Sequence, residues 1–189
     1  MSDAFLMGSG GLSAIPREIN QHQLAAHTPD TSSTSVTVTI PKTNIDKAII
    51  LPFYGFGGIQ PGTSRNFQPR YDAFTMEFNS STELLFTRVG TGDHGCAPHG
   101  VLEFPDAKYK ETGEVSITTG DDTTTIILDQ AISDTNKTFV ILTWRSSLST
   151  CEGGMVSFGS WFGDNDRFFI VHYNKSGTMI VNYQVLELR

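Results

Sequence analysis

Cysteine is scarce in this sequence, and a secretion signal is missing. The chain contains two cysteines, Cys96 and Cys151, which is too few for the disulfide framework of a small secreted domain. The N-terminus lacks the basic segment followed by an apolar core that marks a signal peptide. These absences predict synthesis in a reducing cytoplasm, where thiols stay free.

Long apolar runs and clusters of basic residues are also missing. No segment approaches the roughly 20 apolar residues that a membrane-spanning helix requires. The 13 lysines and arginines are scattered along a chain with a net charge of -7. Attraction to nucleic-acid phosphates or to anionic lipids is therefore not expected, and the sequence predicts neither nucleic acid nor a membrane as a partner.

The third absence is helical periodicity, because no long stretch repeats its apolar residues every 3.6 positions. Charged residues make up only 17% of the chain, whereas Thr, Ser, Val, Ile and Phe are plentiful. Residues 35–40 alternate between polar and apolar, with Val36, Val38 and Ile40 on one face. Residues 48–53 form a continuous apolar run, which is typical of a strand covered on both faces. The sequence thus predicts an all-β, antiparallel protein.

Three pairs of strand patterns predict β-hairpins. The first joins residues 74–78 to residues 83–89 through a turn at Asn79. The second joins residues 115–119 to residues 123–128 through Gly120, Asp121 and Asp122, which tolerate tight turns. The third is the last strand pair of the chain, within residues 167–188.

Parts of the chain repeat. Residues 35–54 align without a gap on residues 125–144, which places Asp46-Lys47 on Asn136-Lys137. Residues 74–86 align on residues 169–181, which places Phe74 on Phe169, and Val-Leu-Glu-Phe at 101–104 matches Val-Leu-Glu-Leu at 185–188. We therefore expect a tandem duplicated β-sandwich unit, in which residues 1–34 form an extended arm, residues 35–108 the first β repeat and residues 109–189 the second. The two copies either form separate small sandwiches or share one core.

The expected N-terminal arm combines apolar side chains with Gly, Ser and Pro, so it cannot bury a core of its own. Residues 16–24 could form a short helix, with Pro16 near its first turn. The arm is either a flexible leader or a docking segment that orders on a neighbouring subunit, and the second alternative is favoured because its apolar side chains would otherwise be exposed. The assembly residues would be Phe5, Leu6, Met7, Leu12 and Ile15.

Signals for chemistry are weak. His94, Cys96 and His99, with Cys151 from the second copy, could bind zinc, but their spacing matches no established zinc pattern. The two cysteines could instead pair, or the segment could be an ordinary surface loop. The sequence has no G-x-S-x-G elbow, and the carboxylates of Asp164 and Asp166 suit a turn better than paired acid-base catalysis. We therefore expect neither an enzyme nor a cofactor.

Aromatic side chains near the long loops provide one candidate binding site. Flat apolar rings beside polar groups are what saccharide recognition uses. The alternative is that these rings fill the ends of the sandwiches and the subunit contacts. The candidate glycan-binding residues are Tyr54, Tyr71, Trp144, Trp161 and Asp164.

Three features of the chain occur together: the alternating strand at residue 35, Asp46-Lys47 before an apolar strand, and the closing strand Val-Asn-Tyr-Gln-Val-Leu-Glu-Leu at 181–188. In these features the chain resembles the small β-sandwich modules of tailed-bacteriophage virion proteins. Such modules are found among tail-fibre, collar and decoration proteins, and similar modules distantly resemble H-type lectins. The resemblance implies a non-enzymatic virion protein, made in the host cytoplasm, that forms homo-oligomers and contacts other tail, collar or capsid proteins. The alternative that it implies is a carbohydrate-binding module that attaches to a host surface glycan.

Overall fold

The computed structural model describes residues 33–52, 73–91, 99–117, 123–147, 158–172 and 178–189, together with the backbone of residues 20–25. Within these ranges the protein is all-β, as predicted, and its regular elements are twelve strands and two 3₁₀ turns, Ile45–Lys47 and Thr135–Lys137. None of their helical segments is long and apolar enough to cross a membrane. The strands are β1 (Asn20–Ala25), β2 (Ser35–Thr39), β3 (Ala48–Pro52), β4 (Thr75–Ser80), β5 (Glu83–Thr87), β6 (His99–Glu103), β7 (Ala107–Ile117), β8 (Thr123–Ile127), β9 (Thr138–Ser146), β10 (Phe158–Asp164), β11 (Arg167–His172) and β12 (Met179–Leu188).

The strands form four three-stranded sheets, and every pairing is antiparallel. In the first half of the chain (β1 to β6), the inner sheet has the order β1-β6-β3 and the outer sheet the order β2-β5-β4. In the second half (β7 to β12), the inner sheet is β7-β12-β9 and the outer sheet is β10-β11-β8. Each half is therefore a small sandwich of two sheets.

The two sandwiches pack against each other through their inner sheets. Successive side chains of a strand point to opposite faces, so β3 sends Ala48 and Ile50 into the core of the first half and Ile49 towards the second half. In β12, Val185 points into the core of the second half, and Leu186 joins Ile49 in a shared apolar layer. The shared apolar layer thus lies between β3 and β6 of the first half and β9 and β12 of the second.

The two halves have the same strand order and the same register. In the outer sheets, Val38 lies opposite Leu84 in the first half and Ile126 lies opposite Phe168 in the second. In the inner sheets, Ala48 lies opposite Glu103, and Thr138 lies opposite Glu187. Both β4–β5 and β10–β11 have an irregularity at the same place, after Phe78 and after Phe162.

The 3₁₀ turns are held in the same way in both halves. The carboxylate of Glu103 accepts a hydrogen bond from Asn44 N at 2.9 Å, and the carboxylate of Glu187 accepts one from Asp134 N at 3.0 Å. Asn44 and Asp134 in turn accept with their side chains from the backbone two residues later. The predicted correspondences of Lys47 with Lys137 and of 101–104 with 185–188 agree with this observed register.

Two of the three predicted hairpins are wrong. The β4–β5 hairpin forms as expected. However, β7 and β8 belong to different sheets, and so do β11 and β12. An alternating pattern identifies a strand but not its partner, and in a sandwich the chain repeatedly crosses from one sheet to the other.

The predicted equivalence of Phe74 and Phe169 is also wrong. Phe169 lies in β11 opposite Thr125, where the first half has Leu85 opposite Thr37. Phe74 is buried immediately before β4. Phe78 corresponds to Phe162 instead of Tyr173, because the β4–β5 hairpin is matched by β10–β11.

The N-terminal boundary also differs from the prediction. Residues 20–25 form a strand that pairs with β6, so the described part of residues 16–24 does not form the helix that its sequence allowed. The first half therefore begins before residue 35. The candidate assembly residues Phe5, Leu6, Met7, Leu12 and Ile15 lie outside the described residues.

Candidate functional site

Several residues singled out from the sequence lie outside the part of the chain that the structure describes. They are Tyr54, Tyr71, His94, Cys96 and Cys151. The remaining metal candidate, His99, is buried in β6, and its ring lies 4.7 Å from the ring of Phe86. Among the described residues, no group of three or more potential ligands could hold a metal ion.

Trp144 is not a sugar-binding residue of the surface. Only 8% of it is exposed, and it packs in the core of the second half with Phe168 and Val181. Residues 139–144 enter β9 as an apolar run, and alternation along the strand places Trp144 on the core face with Val140 and Leu142. For this residue the sandwich-filling alternative is correct.

Trp161 and Asp164 lie together on β10, at the tip of the β10–β11 hairpin. Trp161 is 49% exposed. Arg167 Nε lies 3.6 Å from Asp164 Oδ2 and 2.9 Å from Asp166 Oδ1, and the hydrogen bond from Arg167 holds the pKa of Asp166 below its usual value. A half-exposed indole thus borders a group of charged hydrogen-bonding side chains.

Trp161 is part of a larger exposed apolar surface, which we call the aromatic face. It lies on the solvent side of the outer sheet of the second half and consists of Trp161, Phe169, Ile127 and Val171. The rings of Trp161 and Phe169 are 5.4 Å apart, and Ile127 is 73% exposed. Phe169 lies directly over Gly163, where an added Cβ would come within 2.3 Å of the ring.

The corresponding surface of the first half is more polar, with Leu85 as its apolar residue. The strand pairings place Glu77 where the second half has Trp161, and Thr39 where it has Ile127. Leu85 corresponds to Phe169, and Thr87 to Val171. Since the same strand arrangement forms in the first half with Glu77, Thr39 and Thr87 at these positions, the exposed apolar side chains of the aromatic face are not required for it.

Sequence analysis missed most of the aromatic face. Ile127 follows Ile126 in β8, and alternation along a strand requires one of the two to face outward. That signal was available in the sequence. The contribution of Phe169 was not, because it depends on the pairing of β11 with β8 and β10.

A second candidate site is a cleft of about 710 Å³ between the two halves. Its walls are the first 3₁₀ turn and β4 on one side, and β7 and β12 on the other. This volume lies within the range of small-ligand sites. The cleft marks the place where the apolar layer between the inner sheets gives way to polar residues, including Asn182, Gln184 and Thr112.

The three lysines that line the cleft already bond to the protein itself. Lys47 donates to the carbonyl of Pro105, and Lys110 donates to the carbonyl of Ile45. Lys108 donates to Ser133 Oγ and lies 3.6 Å from the carboxylate of Glu187. Only Lys108 has a carboxylate partner among the described residues, so the ammonium groups of Lys47 and Lys110 keep the lining of the cleft positively charged at these positions.

Lys110 is a cleft residue whose pKa is strongly shifted by burial. Burial lowers the pKa of its ammonium group from 10.5 to about 8, against the opposing effect of Asp46. Its Nζ lies 4.5 Å from the centre of the Phe78 ring, so a cation–π contact stabilises the charged form.

Asn182 is the cleft residue with unmet hydrogen-bonding capacity. It is only 7% exposed, and its Oδ1 has no hydrogen-bond partner within the described residues. Its neighbours across the inner sheet are Glu114 on β7 and Thr143 on β9. A buried acceptor without a donor is unfavourable unless a donor from outside the fold reaches it.

A scan against models of protein families, a search of curated proteins and a search of solved structures each find no match to this chain. The functional argument therefore depends on the residues of the chain itself.

Proposed function

We propose that this protein is a non-enzymatic structural component of a bacteriophage particle, in its tail, collar or capsid surface. Its resemblance to virion β-sandwich modules supports this role. So does its construction, because two sandwiches that share an apolar layer and buried hydrogen bonds form a rigid block. A rigid block of this kind holds neighbouring subunits in fixed positions and needs no chemical step to do so.

The observation that carries the proposal is the contrast between the two outer sheets. Trp161 and Ile127 occupy exposed positions at which the first half has Glu77 and Thr39. Exposed apolar surface that the fold does not need is typical of a site of association. The aromatic face is therefore the surface through which the protein joins a neighbour.

The size of the aromatic face favours a short segment as its occupant. The face extends over five residue positions along β11 and across the width of three strands, which is roughly 17 by 14 Å, or about 240 Å², given the usual spacings within a sheet. A stable protein dimer buries about 800 Å² on each partner. The face is too small for that but suits a few apolar side chains.

The N-terminal segment of a neighbouring copy is the occupant that we propose. Residues 1–19 precede β1, lie outside the described residues and contain Phe5, Leu6 and Met7 in succession. Nineteen extended residues span up to about 60 Å, which is enough to reach another subunit. Burying these side chains on the aromatic face would remove both apolar surfaces from water.

The test replaces the aromatic face by the residues of the first half. We expect the double variant Trp161→Glu and Ile127→Thr to fold normally but to lose self-association in sedimentation experiments, as should the triple variant Phe5→Ser, Leu6→Ser and Met7→Ser. The matched control, Glu77→Gln with Thr39→Ser, alters the same positions of the first half and should assemble like the wild type. Unchanged self-association in both apolar variants would refute the proposal.

The second candidate function is binding of a host surface glycan at the tip of β10–β11. The observation that favours it is the half-exposed Trp161 beside Asp164 and Arg167. On a glycan array, this function requires sugar-competed binding that is lost in Trp161→Glu and retained in Trp161→Phe. A complete lack of sugar binding by the wild-type protein would remove this candidate and leave the structural role.

A further inference from the structure

β7 is the longest strand at the edge of a described sheet, and one of its two sides has no strand partner there. It extends over 11 residues and pairs with β12 alone. Edge strands of soluble proteins are usually protected by being short, by proline or by bulges. β7 contains no proline, and its one irregularity lies at its start, opposite Glu187 and Leu188. The rest of its free side is therefore a template for another strand.

The hydrogen-bond pattern determines which residues of β7 present their backbone groups at the free edge. Ser147 N donates to Thr178 O at 3.3 Å, so even-numbered residues of β12 bond to β9. The odd-numbered residues of β12 therefore bond to β7, where Val185 lies opposite Glu111. The N–H and C=O groups that point away from β12 belong to the even-numbered residues, Lys110, Thr112, Glu114 and Ser116.

The side chains of these edge residues are complementary to themselves. Lys110 and Glu114 carry opposite charges and lie two residues on either side of Thr112. Lys110 forms no ion pair within the described part of the chain. Glu114 has Arg145 as its partner but is half exposed, so it retains free acceptor positions. Two antiparallel copies of β7 centred on Thr112 would place Lys110 of each copy opposite Glu114 of the other.

Other registers of the same strand pair are less favourable. A pair centred on Lys110, on Glu111 or on Glu114 would place like charges directly opposite each other, which destabilises a strand pair. A pair centred on Gly113 would leave Lys110 and Glu114 opposite neutral side chains. Among these centres, Thr112 alone combines paired backbone groups with opposite charges.

We propose that the free edge of β7 binds the β7 edge of a second copy of this chain, antiparallel and with the two-fold axis at Thr112. The inner sheets of the two second halves, each of three strands, then form one continuous sheet. The paired edge is about 30 Å long and a sheet is about 10 Å thick, so the contact covers about 300 Å² on each copy. A stable dimer buries about 800 Å² on each partner. We therefore expect the edges to pair within the assembly that the aromatic face holds together, and to that extent the inference rests on the proposed function.

Disulfide crosslinking of the full-length protein tests this register. In a background without the native thiols (Cys96→Ser and Cys151→Ser), Thr112→Cys places two thiols at the axis, where the Cα atoms lie about 5.5 Å apart and a disulfide can form. Ser116→Cys is the matched control, because it is exposed on the same edge but about 27 Å from its counterpart. The protein is oxidised at a concentration at which the wild type self-associates, or otherwise at its highest soluble concentration. We expect at least about tenfold more covalent dimer from Thr112→Cys than from Ser116→Cys. Equal amounts from the two variants, or none from either, would overturn the inference.

A proline substitution tests the edge without a crosslink. Because the N–H of Thr112 points away from β12, Thr112→Pro removes no hydrogen bond within the chain but blocks an added strand. The variant should keep the thermal stability of the wild type and sediment as smaller assemblies. Thr112→Val retains the N–H and should assemble like the wild type. Full-size assemblies of folded Thr112→Pro would contradict the edge pairing.

The crosslink also separates this inference from the proposed function. Unchanged self-association in both apolar variants described above, together with an efficient Thr112→Cys crosslink, would refute the role of the aromatic face and retain the edge pairing. Loss of self-association in those variants, together with no crosslink in the self-associating parent, would refute the edge pairing and retain the aromatic face.

Discussion

The buried ammonium group of Lys110 makes the free energy of unfolding depend on pH. Burial lowers the pKa of its ammonium group to about 8 in the folded protein, whereas the unfolded chain retains a value near 10.5. Between these values the unfolded state binds more protons than the folded state. The free energy of unfolding therefore rises as pH increases through this window.

We expect the wild-type protein to gain about 2 kcal/mol of unfolding free energy between pH 7.5 and pH 9.5 relative to Lys110→Met, because the variant lacks the titrating group. Urea denaturation at the two pH values measures the difference. The range stops below pH 10 because Tyr109 and Tyr183 act in the opposite direction above it. Burial and Glu111 raise their pKa values, that of Tyr183 to about 12.

The substitution Lys42→Met is the matched control, since Lys42 is exposed on the first half. The free energy of unfolding of Lys42→Met should change between pH 7.5 and pH 9.5 as that of the wild type does. If Lys110→Met kept the full pH-dependent gain, the ammonium group of Lys110 would not be the source of the effect.

At the scale of elements, each 3₁₀ turn is fixed to its sheet by one glutamate, whose carboxylate accepts hydrogen bonds from the backbone at the start of the turn. The Glu187 side chain is 1% exposed and accepts hydrogen bonds from Ser133 N, Ser133 Oγ and Asp134 N. Burial alone would raise its pKa, but these hydrogen bonds and the nearby ammonium of Lys108 outweigh burial and lower it. Glu103 performs the same role in the first half with one hydrogen bond, from Asn44 N, at an exposed position.

The two glutamates form a matched pair for mutation. We expect Glu187→Ala to cost about 2–3 kcal/mol of unfolding free energy, because it leaves buried N–H groups without an acceptor, and Glu103→Ala to cost less than about 1 kcal/mol, because water replaces its exposed hydrogen bond. Chemical denaturation at pH 7 measures both costs. Equal costs would show that burial does not distinguish the two caps.

The cost of Glu187→Ala also depends on pH in a defined direction. The folded-state pKa of Glu187 lies below the unfolded-state value, so its contribution is complete above the unfolded-state pKa and is lost as pH falls through the folded-state pKa. The difference between the variant and the wild type should therefore shrink in acid.

Strands were easier to predict from the sequence than their partners. Alternation identified β2 and its buried face, and the continuous apolar run identified β3, because both signals are local. The matching of Lys47 with Lys137 gave the correct register for β3 and β9. The same gapless alignment was wrong by two residues for β2 and β8, because it placed Val36 on Ile126, whereas Val38 occupies the position of Ile126 in the structure. The partners of β8 and β12 were predicted wrongly, because strand pairing across a sandwich depends on contacts distant in sequence.

The candidate sites show the same limit. Trp161 and Asp164 were found from their residue types, and their proximity followed from three positions of separation. Asn182 and Lys110 carried no sequence signal as a site, since they meet only where β12 and β7 pair and β4 closes over them. Trp144 looked equally suitable for a surface, and only the direction of its side chain in β9 excluded it.

At the scale of the whole molecule, Gln184 connects the two halves as a neighbouring strand would. Its Oε1 accepts from Ile50 N at 2.9 Å, and its Nε2 donates to Ile50 O at 3.1 Å. In the described part of the fold β3 pairs with β6 alone, so these bonds satisfy backbone groups on its other side. Met76 N also crosses between the halves to Thr143 Oγ1 at 3.0 Å.

We expect the wild-type protein to unfold in a single calorimetric transition, because the halves share an apolar layer and these buried hydrogen bonds. Gln184→Leu should lower the free energy of unfolding by about 2–4 kcal/mol, since it leaves the N–H and C=O of Ile50 unsatisfied. It should also broaden the transition or divide it into two. Gln130→Leu, at an exposed position, is the control; a sharp single transition at the wild-type temperature in Gln184→Leu would exclude this coupling.

The shared apolar layer has a consequence for how the protein is made. Ile49 and Phe104 emerge from the ribosome long before Phe139 and Leu186, which cover them in the finished structure. The nascent first half therefore exposes an apolar surface until the second half has been translated. A pause in that interval would prolong the exposure of this surface. A premature stop would release a fragment that aggregates or requires a chaperone.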